Sequence, residues 1–255
     1  MEYNDKKNIY FALMSYLGVL FILASFITIG IAIVYSAVNE LNLYDIYNSF
    51  ITTDFTSLTP EILKASAITQ AYGNLVSYVI SCVLVVIFLR KYLVEDALKI
   101  KENPLKFIGL SLLAGLLFIV ISFVIDFAFS YLVDSSQNQQ NIEMIMSYGG
   151  AVPMVLAVVL FAPVVEELIY RKAIFKLFEN NSITACYVAS IIFFTLPHML
   201  SSDMSNMLTW FLQCIPYAAC GFMLCYIYHK SNHNIYAVII AHMMNNLLAA
   251  VLMFI

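Results

Sequence analysis

Glu166 and Glu167 stand side by side near the end of a long apolar run, and Arg171 follows on the same stretch. A carboxylate at the centre of a membrane helix costs about 2.5–3.5 kcal/mol, so two neighbours need partners. Glu167 and Arg171 have i,i+4 spacing with the acid first, the favourable order for a helical ion pair. Glu166 is turned about 100° from Glu167 by helix geometry, so it is free to face a cavity while Glu167 pairs with Arg171. Further polar groups interrupt later apolar runs: Phe194 and His198 share a helix face, and His242, Asn245 and Asn246 follow. His242 and Asn246 again have i,i+4 spacing and present two donors on one face.

A carboxylate and a neutral imidazole around one water can turn it into a nucleophile. A second histidine and an asparagine can hydrogen-bond a developing oxyanion. That inventory suits hydrolysis of an amide without a serine or cysteine nucleophile. The five cysteines, Cys82, Cys186, Cys214, Cys220 and Cys225, lie in apolar segments with no CxxC spacing. Glu166, His198 and His242 also make a workable zinc set with Glu167 as base. No HExxH helix supports that alternative, so no cofactor is expected. Each feature alone has a plainer reading: a packing ion pair, a core histidine, or a hydrogen bond between helices. Together, among so few buried polar groups, they point to a site.

Long apolar helices must position these residues. The 255-residue chain is 62% hydrophobic and 11% charged, with mean hydropathy +0.88. Soluble domains carry about 25% charged residues, and several runs here exceed the roughly 18 residues that span a bilayer. The composition predicts an all-α polytopic bundle. Seven spans are expected, at about 9–36, 69–90, 107–133, 151–177, 183–201, 206–228 and 235–254. They form a single membrane domain, with residues 1–148 as N-terminal helices and loops and 149–255 as the motif-bearing core. The first run is too long for a cleaved signal peptide. No basic patch suits nucleic acid. The polar connector 41–66 reads as a solvated link, and Asp126 as a residue reaching the membrane interface.

Lysine and arginine mark the cytoplasmic side. With the N-terminus cytoplasmic, eleven of the twelve basic residues sort to that side, Lys64 excepted. Seven spans then place the C-terminus outside. The sequence Asn180-Asn181-Ser182 has the form of a glycosylation acceptor but falls on the basic side and carries no weight.

Three short patterns carry a resemblance. Glu166-Glu167-Leu-Ile-Tyr-Arg171 reads EExxxR, Phe194-Thr-Leu-Pro-His198 reads FxxxH, and His242-Met-Met-Asn-Asn246 reads HxxxN. In this order on late helices they resemble the CAAX protease and bacteriocin-processing (Abi) family of intramembrane peptidases, which is similar to the type II CAAX prenyl endopeptidases. The resemblance covers roughly residues 152–252 and implies roles. Glu166 and His198 would activate water, and His242 and Asn246 would form the oxyanion hole. Glu167 and Arg171 would organise the site, and Phe194 would pack within it. It implies a peptide or protein substrate, lipidated or membrane-anchored in some members, and a bacterial cell membrane as the setting. The cavity is expected to open toward the cytoplasm, because Glu166 lies only about three turns from Lys176. His198 sits awkwardly for that view, about 24 Å along its helix. A non-catalytic immunity or scaffold protein is the competing reading, and a proton-relay transporter a weaker one, since no internal repeat supports alternating access.

Overall fold

The computed structural model describes residues 3–52, 54–180 and 182–254; Asn181 of the glycosylation pattern lies outside them. Among the described residues the regular structure is all helical. We label the helices α1 (Asn4–Asn39), α2 (Leu43–Ser49), α3 (Pro60–Ile100), α4 (Pro104–Ser130), α5 (Gln137–Phe178), α6 (Ile183–Met199), α7 (Met207–Lys230) and α8 (Ile235–Leu252). Six are long and apolar enough to cross a membrane, and α6, at 17 residues, falls just short. All seven expected runs are therefore helical. The polar connector is itself partly folded, holding α2 and a 3-10 turn at Phe55–Ser57.

Local chemistry starts each helix at the connector before it. The side chains of Thr59, Asn103, Ser136, Ser182, Asn206 and Asn234 each accept a backbone N–H from the first turn that follows. Pro60 and Pro104 take the first helical position, where a missing N–H costs nothing. Burial on α4 falls on Ser111, Gly115, Phe118 and Ser122, a mostly small-residue stripe, while Leu112, Leu113, Leu116 and Val120 are exposed. Small residues turned inward and leucines turned outward suit helices packing in lipid. The largest buried cluster joins Ile9 and Tyr16 of α1, Leu89 of α3, Phe118 of α4 and residues of α5 to α8, so both halves of the chain share one core.

The helix carrying the paired glutamates is not straight. It kinks at Tyr148 and Gly149, which leave helical geometry, and contains π-helical turns at Leu156–Phe161 and Leu168–Ala173. At the kink, Gly149 has φ +98°, a conformation that glycine adopts without steric cost. Next to it, a β-carbon on Gly150 would sit 2.7 Å from the carbonyl oxygen of Ala67, so this glycine lets α5 press on α3. Pro163 follows the π turn at Leu156–Phe161, whereas Pro197 lies inside α6, which continues to Met199 without a break.

Candidate active site

Glu166 and Glu167 are the last two residues of the short α-helical stretch Ala162–Glu167, between two π turns of α5. Such turns recur at functional sites because they displace side chains from the regular helical register. Glu167 is fully buried, and its carboxylate meets Arg171 twice: Arg171 Nε lies 3.2 Å from Oε2, and Nη1 donates to Oε1 at 3.3 Å. The expected ion pair is present. Arg171, also fully buried, donates from Nη2 to the Gly221 carbonyl at 3.2 Å and places its guanidinium 4.6 Å from the Phe194 ring centre. Phe194 thus packs between α5 and the histidines, 4.9 Å from the His198 ring and 6.1 Å from that of His242.

His242 donates from Nδ1 to Glu167 Oε1 at 2.7 Å. Its other nitrogen, Nε2, stands 4.0 Å from Glu166 Oε2. A carboxylate behind an imidazole fixes its tautomer and aims the opposite nitrogen, here at Glu166. His198 bonds through Nδ1 to the Phe194 carbonyl at 2.8 Å, so Nδ1 carries the hydrogen and Nε2 has a free lone pair. The His198 ring lies 4.8 Å from that of Tyr217. No direct hydrogen bond joins His198 to Glu166 among the described residues. Asn246 donates from Nδ2 to the Val158 carbonyl at 2.8 Å, which leaves one N–H and the carbonyl oxygen for other partners.

Glu166, His198, His242, Asn245 and Asn246 all line one cavity of about 920 Å³. Its wall also holds Asp126, which faces the cavity instead of simply marking the membrane interface. The cavity continues past Val133, Asp134 and Asn138 to Gln213 and Met253, at the start of α7 and the end of α8. That is the end of the bundle opposite the lysine-rich connectors, and on the orientation expected from charge it is the outer end.

On the basic side of Glu166 the bundle is closed by buried groups. There Lys172 is buried and pairs with buried Asp96 at 2.6 Å, while Lys172 Nζ donates to the His233 carbonyl at 3.1 Å. Asp96 also caps α8 by accepting the Ile235 N–H at 2.9 Å. Phe175 packs edge-on against Tyr228 at 5.1 Å and completes the seal. The position of His198 agrees: α6 starts at the basic end, and fifteen further residues carry His198 about 22 Å toward the open end.

One participant was missed by the sequence reading. Tyr78 of α3 donates its hydroxyl to Glu166 Oε1 at 3.2 Å and lines the cavity. Tyr16 of α1 lines it too, hydrogen-bonded to the hydroxyl of Tyr170. Tyrosine is unremarkable in an apolar run, so no pattern within the sequence flagged either. The zinc set gains nothing from the geometry: among the described residues, no three His, Cys, Asp or Glu side chains are grouped to hold an ion.

Comparison with known proteins agrees with the motifs. Residues 148–248 match the family model "Type II CAAX prenyl endopeptidase Rce1-like". A Bacillus subtilis (strain 168) protein named "Putative membrane peptidase YdiL" is 27% identical over 183 residues, covering 69% of each chain. No solved structure matches. The resemblance to this type of family is thus borne out: residues 148–248 are similar to the type II CAAX prenyl endopeptidases, and the chain is similar to a membrane peptidase by name.

Proposed function

We propose that the protein is an intramembrane endopeptidase that hydrolyses a peptide bond with a water activated by Glu166 and histidine. The observation that carries this reading is the convergence of Glu166, His198, His242 and Asn246 on one cavity, with Glu167 bonded behind His242. The 4.0 Å gap between Glu166 Oε2 and His242 Nε2 suits a bridging water. Two bonds of about 2.8 Å across it meet at roughly 90°, so the water sits off the line, on the cavity side. Glu166, Glu167 and Arg171 sum to one negative charge, and one proton shared between Glu166 and His242 makes the buried cluster neutral.

The water gives a proton to Glu166 as its oxygen bonds to the carbonyl carbon. His242 Nε2–H and the free N–H of Asn246 are donors for the oxyanion. When the C–N bond breaks, the proton taken by Glu166 passes to the departing amine, with the free Nε2 of His198 as the relay. This division keeps His198 and Glu166 as proton carriers and His242 and Asn246 as oxyanion donors, while His242 also touches the water. The substrate is a peptide or protein tail, of which CAAX-like, bacteriocin-precursor and signal-peptide segments are the candidates. YdiL, named a membrane peptidase, supports the reaction class.

Purified protein in lipid vesicles, given a quenched-fluorescent peptide library, tests the reading. Glu166→Gln, with folding intact, should lower cleavage about 10²–10⁴-fold. Full activity in that variant would refute Glu166 as the water-activating group, whereas no cleavage by the unmutated protein, with its cellular phenotype intact in Glu166→Ala, would support a scaffold or immunity role instead. Activity should survive chelation; a loss restored by zinc would favour the metal alternative.

A further inference from the structure

The cavity wall has a one-sided charge. Three carboxylates line it, those of Asp126, Asp134 and Glu166, and among the described residues no lysine or arginine does. Glu166 has its own partners, Tyr78 and His242. Asp134 is exposed at the mouth, where water serves it. Asp126 is exposed as well. It lies within the spanning helix α4, a turn from its end, and makes no hydrogen bond or ion pair among the described residues. An ionisable residue inside a membrane span, facing a cavity and lacking a partner in its own chain, is a binding group by default. Its position fits that part: it shares the cavity wall with Tyr217, whose ring packs on His198 at 4.8 Å.

The remaining wall is neutral and rich in amides. Eight asparagine and glutamine side chains line the cavity. Asn74 touches only the Met154 sulfur, at 4.0 Å, and Asn245 makes no side-chain hydrogen bond among the described residues. Free carboxamides offer both donors and acceptors, which suits the backbone of an extended peptide. A free C-terminal carboxylate finds no cation here. A cleft lined by one sign of charge concentrates ligands of the opposite sign.

We infer that the substrate is a peptide segment carrying a lysine or arginine close to the scissile bond, that it enters from the Asp134 end, and that Asp126 takes its cation. The inference rests on the peptidase reading for its scissile bond, but its test does not require turnover. Binding is measured by fluorescence anisotropy to the full-length Glu166→Gln protein in vesicles. That variant removes one of the three carboxylates and leaves Asp126 and Asp134. Three labelled peptides of one apolar sequence differ at a single central residue, Lys, Gln or Glu. The lysine peptide should bind about tenfold more tightly than the glutamine peptide, and the glutamate peptide most weakly. Asp126→Asn should abolish the lysine advantage, and Asp126→Glu should restore much of it. Raising the salt should shrink it.

Equal binding of the lysine and glutamine peptides overturns the inference. So does an advantage that persists in Asp126→Asn, or no binding of any of the three. Cleavage of the same peptides by the unmutated protein is scored separately: cleavage without charge preference sinks only this inference, and charge-selective binding without cleavage sinks only the peptidase reading.

Discussion

Arg171 and Glu167 are both fully buried, so each is an ion that the fold keeps away from water. Replacing Arg171 with Met keeps the length of the chain but strands the Glu167 charge, with only His242 left to bond it. Breaking a buried pair by removing one partner costs about 3–5 kcal/mol. The substitution also removes the bond to the Gly221 carbonyl and the guanidinium contact with Phe194. For a chain of this size, about 2–4 °C in Tm per kcal/mol gives a fall of roughly 6–20 °C. The double variant Glu167→Gln/Arg171→Met has no stranded charge, and the Gln carbonyl oxygen still accepts from His242 Nδ1. It should recover about half of the Arg171→Met loss, so that the double variant loses clearly less than the sum of the two singles in a double-mutant cycle. Unfolding in detergent, followed through the single Trp210, measures all four proteins. A fall of less than about 2 °C for Arg171→Met, or a double variant that loses the sum of the two singles, would refute the view that the pair is held together by mutual neutralisation.

Two further outcomes test other parts of the structure. Tyr78→Phe should leave Tm and KM unchanged and lower kcat about tenfold, because a hydrogen bond to a charged group is worth about 1.5–3 kcal/mol and this one holds the Glu166 carboxylate; unchanged kcat would remove Tyr78 from the site. Burial lowers the His233 imidazole below its ordinary value, and His229 and Lys172 push it the same way. The folded protein therefore resists protonating it, so stability is full above the unfolded value of 6.5 and is lost as pH falls from there through the lower folded value. His233→Asn keeps the left-handed backbone at φ 56° with a residue that tolerates it, and should flatten that part of the Tm–pH curve; an unchanged curve would exclude His233.

Glu166, His198 and His242 were legible in the sequence because charged and imidazole groups stand out in apolar runs and their helical spacing is regular. The Glu167–Arg171 pair followed from one rule of helix geometry. Tyr78 was not legible: its hydroxyl adds little polarity to its run, and it meets Glu166 from 88 residues away. Lys172 was counted among the basic residues that mark one side of the membrane, whereas it is buried against Asp96 and helps close that end of the bundle. Distance from a lysine in sequence does not measure distance from water when the lysine is itself part of a plug.

The π turns of α5 have a consequence for related chains. Each such turn is an α-helix with one residue too many. Loss of a single residue within Leu168–Ala173 would return that stretch to regular winding. Everything beyond it would then turn by about 100° relative to Glu166 and Glu167. Lys172 and Phe175 would leave the faces that seal the basic end, even though FxxxH, HxxxN and both glutamates survived untouched. A relative with intact motifs and a one-residue gap here would be an unplugged bundle, so residue count across this turn is as informative about kinship in function as the motif letters themselves.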